Sequence, residues 1–297
     1  MKKTWTIGTR GSKLALKQTE IVVKRLTLLY PDREFPVKTI RTKGDTVWDR
    51  PLHLVGGKGL FVKEIEDELL NGSIDMAIHS VKDMPSALED GLILGAVLER
   101  EDPRDTFISL THNTLDTVPA RSRIGTSSLR RKAQILRLNN EIEVIPLRGN
   151  VDTRIGKLKA QSLDGIVLAY AGVKRMGFLD HIREIIPLDI MVPSAGQGAI
   201  GIEIRNEDEV IDMLGPVNDP VSAQEISIER ELLGRIGGGC QIPLGIHAHI
   251  TDQSLTLYVS MGEESGRTFV HEKYTYPREQ STLAIKDALD QLKPFLT

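Results

Sequence analysis

The residue with the most distinctive chemistry in this chain is its single cysteine, Cys240. Three consecutive glycines precede it, and Pro243 follows three residues later. Glycines allow positive φ angles and a close approach of the backbone to a bound group, and a proline stiffens the exit. A lone cysteine that fills a core normally lies within a periodic apolar segment. The glycine loop therefore favours an exposed, reactive thiol, and one cysteine excludes an internal disulfide or a multi-cysteine zinc site.

A second set of candidate residues follows segment 74–78, whose alternating apolar residues predict a buried strand. His79, Lys82 and Asp83 come at its carboxyl end, where open α/β sheets bind ligands. Asp83 is either a functional carboxylate or the cap of a turn beside Pro85. Lys82 either binds an anion or is a solvated surface lysine. His79 is either functional or a structural residue whose hydrogen bonds are made at the end of the strand. The residues alone leave these alternatives open.

Basic side chains recur after predicted strands or in the first turns of predicted helices. They are Arg10, Lys58, Lys82, Arg130, Arg131, Arg148, Arg154 and Arg175. The net charge is only −3, so this recurrence indicates a basic cleft within a neutral surface and no general nucleic-acid footprint. Because the arginine fork pairs in a bidentate manner with carboxylate or phosphate, we expect a small polyanionic ligand.

Length and composition are those of an ordinary globular protein. The 297 residues are 40% hydrophobic and 27% charged, enough for two or three domains. The sequence contains neither an apolar run of membrane-spanning length nor a signal-peptide core, so we expect a cytoplasmic protein with a reduced thiol. His247 and His249 lie two apart on one predicted strand face without a third ligand nearby, and we expect no metal site.

Two parts of the chain share the order strand, polar glycine-containing turn, helix. The first has a strand at 4–8 and a helix capped by Ser12, and the second has Ile124 and Gly125 before the helix that begins at Leu129. This order is typical of α/β units, whose helix N-termini are natural anion sites. The charged segment 99–105 between the two parts predicts the crossing into a second domain.

The last part of the chain has a different pattern. Asp219 caps a predicted helix with Pro220 in its first turn, the cysteine loop follows, and three predicted strands over 244–276 precede a final helix. This order predicts a small α+β domain. Segment 196–201 matches the dinucleotide-binding glycine pattern, but the alternating residues after it predict a strand where that fold requires a helix. We therefore expect no nucleotide site there.

Seven stretches are spread along most of the chain. They are IGTRGSKLAL (7–16), VGGKGLF (55–61), HSVKDMP (79–85), GTSSLRR (125–131), LRGNVDTR (147–154), PSAGQGAI (193–200) and GGGCQIPLG (237–245). In sequence and in order they resemble the porphobilinogen deaminase family, also called hydroxymethylbilane synthase. The resemblance implies an α/β fold with two periplasmic-binding-protein-like lobes, a central cleft and a small C-terminal α+β domain. The implied boundaries are 1–98 with 193–217 for the first lobe, 99–192 for the second, and 218–297 for the cofactor-attachment domain.

The same resemblance implies a transferase of tetrapyrrole and haem biosynthesis, acting as a monomer without nucleic acid or membrane. It would polymerise four molecules of porphobilinogen, a small polycarboxylate pyrrole, on a dipyrromethane cofactor attached covalently to Cys240. Ammonia would leave at each addition, and the linear tetrapyrrole hydroxymethylbilane would be released. Asp83 matches the family's catalytic aspartate. The matches to cofactor-binding positions are Cys240, Lys82, Thr126, Ser128, Arg130 and Arg131, and those to substrate-binding positions are Arg10, Ser12, Lys58, Arg148, Arg154 and Arg175.

Two other functions stay open from the residues. A non-catalytic polyanion sensor on the same two-lobed scaffold explains the arginines but gives Cys240 no role. A cysteine hydrolase requires a histidine base beside the thiol, and His247 and His249 are the nearest in sequence. The chain also departs from the family at Leu54, where some members have a second lysine, which weakens the case for Lys58 as part of a paired site.

Overall fold

The computed structural model describes residues 2–46, 62–237 and 242–296. Within these ranges the fold is α/β, with two five-stranded sheets and one three-stranded sheet. The chain divides into two compact units, residues 1–101 with 199–224 and residues 102–198 with 225–297. The α/β class expected from the sequence is confirmed, whereas the boundaries of three separate domains and the central cleft stay predictions.

The elements have the following bounds. The strands are β1 (Ile7–Arg10), β2 (Val37–Ile40), β3 (Met76–Ser80), β4 (Leu92–Val97), β5 (Asp105–Ile108), β6 (Arg123–Gly125), β7 (Glu143–Ile145), β8 (Gly165–Ala169), β9 (Glu184–Ile185), β10 (Ile200–Arg205), β11 (Leu244–Ile250), β12 (Ser254–Gly262) and β13 (Phe269–Pro277). The helices are α1 (Lys13–Leu29), α2 (Lys43–Thr46), α3 (Lys63–Leu70), α4 (Leu129–Leu138), α5 (Val151–Ala160), α6 (Tyr170–Arg175), α7 (Asp208–Leu214), α8 (Pro220–Ile236) and α9 (Ser281–Leu292). In the described part of the chain, no helix is long and apolar enough to cross a membrane.

The sheet of the first unit has the strand order β2-β1-β3-β10-β4. β1, β2 and β3 are parallel, and β10 lies antiparallel between β3 and β4. Ile7, Ile78 and Ile202 are buried in one core with Leu26 of α1. Because β1 and β3 are parallel neighbours, the segments that follow them leave the sheet at the same edge.

The sheet of the second unit repeats this arrangement with other strands. Its order is β7-β6-β8-β5-β9, with β6, β7 and β8 parallel and β5 antiparallel to both neighbours. In this sheet β5 occupies the position that β10 occupies in the first sheet. Likewise, β6 and the helix α4 that follows it correspond to β1 and α1. On β8, a Cβ atom at Gly165 would lie 2.2 Å from the ring of the buried Phe107, so glycine is what allows this close approach.

The C-terminal part of the second unit is the antiparallel sheet β11-β12-β13, with α9 packed against it. The free edge of β11 presents backbone amides at alternate residues. Glu229 and Glu225, one turn apart on α8, accept two of these at 2.8 and 2.9 Å, from Ala248 and Ile250. The carbonyl of Pro193 accepts a third at 2.8 Å. These bonds cover the sheet edge and tie α8 to β11, the elements on either side of the cysteine loop.

We expect Glu229→Ala to destabilise this unit. Glu229 is fully buried and also accepts the amide of Gly196 at 2.7 Å, so its removal leaves two buried N–H groups unpaired. The free energy of unfolding, measured by urea denaturation, should fall by about 3 kcal/mol. Glu231→Ala is the matched control, because Glu231 is exposed on the same helix and pairs only at the surface with Arg235. It should change stability by less than about 0.5 kcal/mol, and equal losses would contradict the role of Glu229.

Candidate functional site

Asp83 lies in a short 3-10 turn, Val81–Asp83, that directly follows β3. The sheet fixes the base of this turn: Ile200 of β10 pairs with Ser80, and the amide of Val81 donates to the carbonyl of Ala199 at 3.2 Å. The side chain of Asp83 is exposed and that of Lys82 is half-buried. The local sequence therefore holds an exposed carboxylate at the carboxyl edge of the first sheet.

Other predicted site residues lie at the same edge of the first sheet. Arg10 is the last residue of β1, the parallel neighbour of β3. Ser12 caps α1 by accepting the amide of Ala15 at 3.2 Å, as the sequence predicted. Gln18 of α1 donates to the hydroxyl of Ser80 at 2.8 Å and so links the helix to the end of β3. Lys58 and Leu54 lie outside the described residues.

The corresponding edge of the second sheet carries further predicted residues. Thr126 and Ser128 follow β6, and Ser128 caps α4 by accepting the amide of Arg131 at 3.4 Å. The hydroxyl of Thr126 accepts the amide of Ser128 at 3.2 Å, which fixes the turn between strand and helix. The half-buried Arg148 follows β7, the parallel neighbour of β6.

Two further arginines of this unit bind backbone carbonyls. Arg154 of α5 donates through Nε to the carbonyl of Gly149 at 2.6 Å. Arg175, at the end of α6, donates through Nη2 to the carbonyl of Gly198 at 2.6 Å. Both side chains are half-buried, and their positions follow from helices that begin after β7 and β8.

Arg130 and Arg131 hold an internal carboxylate that the sequence interpretation had missed. Nη1 of Arg130 lies 2.7 Å from Oδ2 of Asp105, and Nε and Nη2 of Arg131 lie 3.1 and 2.8 Å from Oδ1. All three side chains are buried. Burial alone would raise the pKa of Asp105, but the two guanidinium charges outweigh it and hold that pKa well below its usual range. Burial lowers the pKa of Arg130, and Asp105 opposes that change.

The cluster around Asp105 includes the segment that precedes β10. Gln197 donates through Nε2 to Oδ1 of Asp105 at 2.8 Å and to the carbonyl of Pro103 at 2.7 Å. The carbonyl of Val192 accepts from Nη1 of Arg130 at 2.7 Å. Asp105 thus connects β5, α4 and segment 192–197. The signal that could have revealed it is an acidic residue starting an apolar strand, since a buried carboxylate requires basic partners.

The thiol of Cys240 lies outside the described residues. The two histidines nearest to it in sequence contact carboxylates of α8. Nδ1 of His247 lies 3.2 Å from Oε1 of Glu229, and the ring of His247 stacks on Tyr258 with centroids 6.0 Å apart. Nδ1 of His249 lies 3.4 Å from Oε1 of Glu225. These contacts support the sheet edge, and they offer no specific support for a cysteine hydrolase.

The hydrogen-bond donors at the edge of each sheet suit a ligand that carries carboxylate groups. Hydroxyl, ammonium and guanidinium groups donate hydrogen bonds to carboxylates, and guanidinium groups do so most strongly. Arg130 and Arg131 pair with the internal carboxylate of Asp105. The exposed carboxylate of Asp83 is suited to stabilising a positive charge.

Two solved structures are distantly similar to this chain. The periplasmic VFT2 domain of BvgS from Bordetella pertussis is 12% identical, with a TM-score of 0.42, 72% of this chain and 86% of that chain covered. The effector binding domain of BenM with benzoate is 16% identical, with a TM-score of 0.43, 80% of this chain and 95% of that chain covered.

Sequence comparisons show much closer relatives. Residues 5–213 match the profile described as porphobilinogen deaminase, dipyromethane cofactor binding domain, and residues 223–290 match the profile described as porphobilinogen deaminase, C-terminal domain. The porphobilinogen deaminase of Syntrophotalea carbinolica is 44% identical over 93% of this chain and 88% of its own length. That of Carboxydothermus hydrogenoformans is 48% identical over 86% of this chain and 83% of its own length. The chain therefore belongs to the porphobilinogen deaminase family.

Proposed function

We propose that the protein is a hydroxymethylbilane synthase. It joins four porphobilinogen molecules head to tail on a covalently held dipyrromethane and then releases the linear tetrapyrrole. In each addition the aminomethyl C–N bond of a substrate breaks and ammonia leaves. The methylene carbon then forms a C–C bond to the free ring carbon of the terminal pyrrole of the bound chain, and that carbon loses a proton. After four additions, the C–C bond to the dipyrromethane breaks and water supplies the hydroxyl group of the released tetrapyrrole. Membership in the family supports this assignment, and the observation that carries it is the exposed carboxylate of Asp83 held beside Lys82 at the edge of the first sheet.

Asp83 is the proposed catalytic residue. Loss of ammonia leaves a positive charge on the pyrrole methylene, and a fixed carboxylate lowers the energy of that cation. The turn after β3 supplies such a carboxylate without burying it, because its backbone is held by β10 and its side chain is exposed. A group held in place before the reaction stabilises the developing charge without further reorganisation.

The basic and hydroxyl residues are proposed to bind the acetate and propionate groups of the pyrroles. Each added unit brings two more carboxylates, so the growing chain requires several cationic partners. We assign Lys82, Thr126, Ser128, Arg130 and Arg131 to the cofactor, and Arg10, Ser12, Lys58, Arg148, Arg154 and Arg175 to the substrate. The first set suits a carboxylate-bearing group because its ammonium, hydroxyl and guanidinium groups are hydrogen-bond donors, although Arg130 and Arg131 are also the partners of the buried Asp105. Bound through Cys240, the dipyrromethane supplies the pyrrole carbon to which the first unit is added.

We expect Asp83→Asn to reduce turnover about a hundredfold or more while the protein stays folded. The amide keeps the size of the side chain but removes the negative charge that faces the cation. Steady-state assays of porphobilinogen consumption, beside circular dichroism, measure both properties. Asp90→Asn, another exposed aspartate of the same unit, is the control and should keep normal turnover. Near-normal turnover of Asp83→Asn would refute the catalytic role, and gross unfolding would favour a turn cap.

Arg131→Leu and Arg148→Leu should differ in their effect on stability. Both remove a cation proposed to bind ligand carboxylates, so both should greatly reduce activity or cofactor content. Only Arg131 also pairs with the buried Asp105, and its loss should lower the free energy of unfolding by about 3 kcal/mol. Arg148 is half-buried, and its replacement should change stability by less than about 1 kcal/mol. Thermal unfolding beside activity measures both, and equal stability losses would contradict this distinction.

Protein produced in cells should be heavier than its sequence by one dipyrromethane unit, and Cys240→Ser should lack that mass. A serine hydroxyl is a poorer nucleophile than a thiolate and cannot form the thioether. Intact-mass spectrometry of both proteins, with a pyrrole-specific colour reaction on the wild type, makes the comparison. An unmodified wild type that titrates as a free thiol after incubation with porphobilinogen would overturn the proposed function and favour the polyanion sensor.

A further inference from the structure

Three titratable side chains that the proposed reaction does not use lie on one side of the first sheet. His79 of β3, Glu203 of β10 and Glu66 of α3 are 5%, 0% and 3% exposed. Nε2 of His79 lies 3.0 Å from Oε2 of Glu203. Among the residues that the structure describes, neither carboxylate oxygen of Glu203, nor Oε1 of Glu66, nor Nε2 of His79 has a partner for a hydrogen bond of good geometry. Buried polar groups without such bonds are uncommon and call for a physical reason.

The strand register places His79 next to the turn that bears Asp83 and places Glu203 on the same face of the sheet. β10 and β3 pair Gly201 with His79 and Glu203 with Ala77, so these side chains share one face of the sheet. Ala77 packs there in a cluster with residues of α3, and α3 contacts β10. His79 is the penultimate residue of β3, and the turn begins two residues later.

Simultaneous ionisation of Glu66, His79 and Glu203 would raise the free energy of the folded state. Glu203 lies beside His79 and Glu66 is buried on the helix that packs on this face, so ionisation of both carboxylates would leave net negative charge in the core even with the imidazole protonated. In the described part of the chain, the other charged groups that act on Glu66 are Glu89, before β4, and Lys63 and Asp67 on its own helix. Lys63 pairs with Glu89 at 3.0 Å. Burial, and next the charge of Glu203, raise the pKa of Glu66 to about 7.

We propose that Glu66, His79 and Glu203 form a buried positioning cluster, in which a proton on Glu66 keeps α3, β3 and β10 packed and so holds the turn that presents Lys82 and Asp83. Loss of this proton places two neighbouring negative charges in the core and loosens the end of β3. The three residues act through the turn and do not touch the substrate. The inference rests on the proposed function, because it assumes that Asp83 is the catalytic carboxylate.

The pH dependence that follows has a definite sign. Glu66 in the unfolded chain loses its proton near pH 4.5, and in the folded protein near pH 7. Between these values the folded state holds a proton that the unfolded state has lost, so stability falls as pH rises across this window. Turnover should fall as Glu66 ionises, because the turn that bears Asp83 is then less firmly held.

Glu66→Gln in the full chain with its cofactor tests this cluster. Glutamine keeps the shape of the protonated side chain and cannot ionise. The decrease in melting temperature between pH 5 and pH 8 should be smaller than in the wild type by about 5 °C. The alkaline fall of kcat should move to higher pH by about one unit or more, with KM for porphobilinogen unchanged. Asp67→Asn, an exposed neighbour on the same helix, should behave as the wild type in both measurements.

Each outcome decides one part of the proposal. If the melting temperature of Glu66→Gln depends on pH as strongly as that of the wild type, the proposal that Glu66 holds a buried proton is wrong. A flattened melting profile with an unchanged kcat profile would make the cluster purely structural and overturn its positioning role. If the wild type shows no turnover at any pH, the proposed function fails and the positioning of Asp83 fails with it. The melting comparison would still decide whether the cluster holds the proton.

Discussion

A carboxylate removed from water requires positive partners, and Asp105 is the point at which this requirement organises the second unit. Its two oxygens are shared by Arg130, Arg131 and Gln197, which belong to α4 and to the segment before β10. Leaving any of these buried groups unpaired would cost several kcal/mol. The start of α4 is therefore fixed against β5, and with it the cap residue Ser128. The pairing of Asp105 with Arg130 and Arg131 therefore fixes the carboxyl edge of the second sheet in the absence of a ligand.

The two sheets use their acidic residues in opposite ways although their strand order is the same. Asp105 begins the antiparallel strand of the second sheet and is fully buried between two arginines. Asp83 follows a parallel strand of the first sheet and is exposed on a short turn. Burial between cations makes the first carboxylate a permanent counter-ion. Exposure leaves the second able to respond to a charge that appears during a reaction.

The sequence was sufficient to predict the helix caps and strands that are determined by local interactions. The caps Ser12 and Asp219 were predicted from residue type and position, and both accept the expected amides, from Ala15 and Ser222. The strand after the glycine pattern at 196–201 was also predicted correctly, because alternation of apolar residues is a short-range signal. The three strands predicted over 244–276 are present as β11, β12 and β13 for the same reason.

Pairings between distant segments could not be predicted in this way. Asp105 is 25 residues from Arg130 and 92 from Gln197, so its partners could not be identified from the local sequence even where its position at the start of an apolar strand indicates burial. The contact between His79 and Glu203 likewise depends on the insertion of β10 beside β3. Arg130 and Arg131 were expected to face a ligand, and only the fold reveals that they already hold an internal carboxylate.

The place of β10 in the first sheet also has a consequence for the order in which the chain can fold during synthesis. β10 separates β3 from β4, although it is made about a hundred residues after them, so this sheet cannot be completed until residue 205 has left the ribosome. All five strands of the second sheet lie within residues 105–185 and are available earlier. Pairing over long sequence separation is slow and leaves strand edges exposed in the meantime. Of the two five-stranded sheets, the first is therefore the one whose strand edges stay unpaired longer during synthesis.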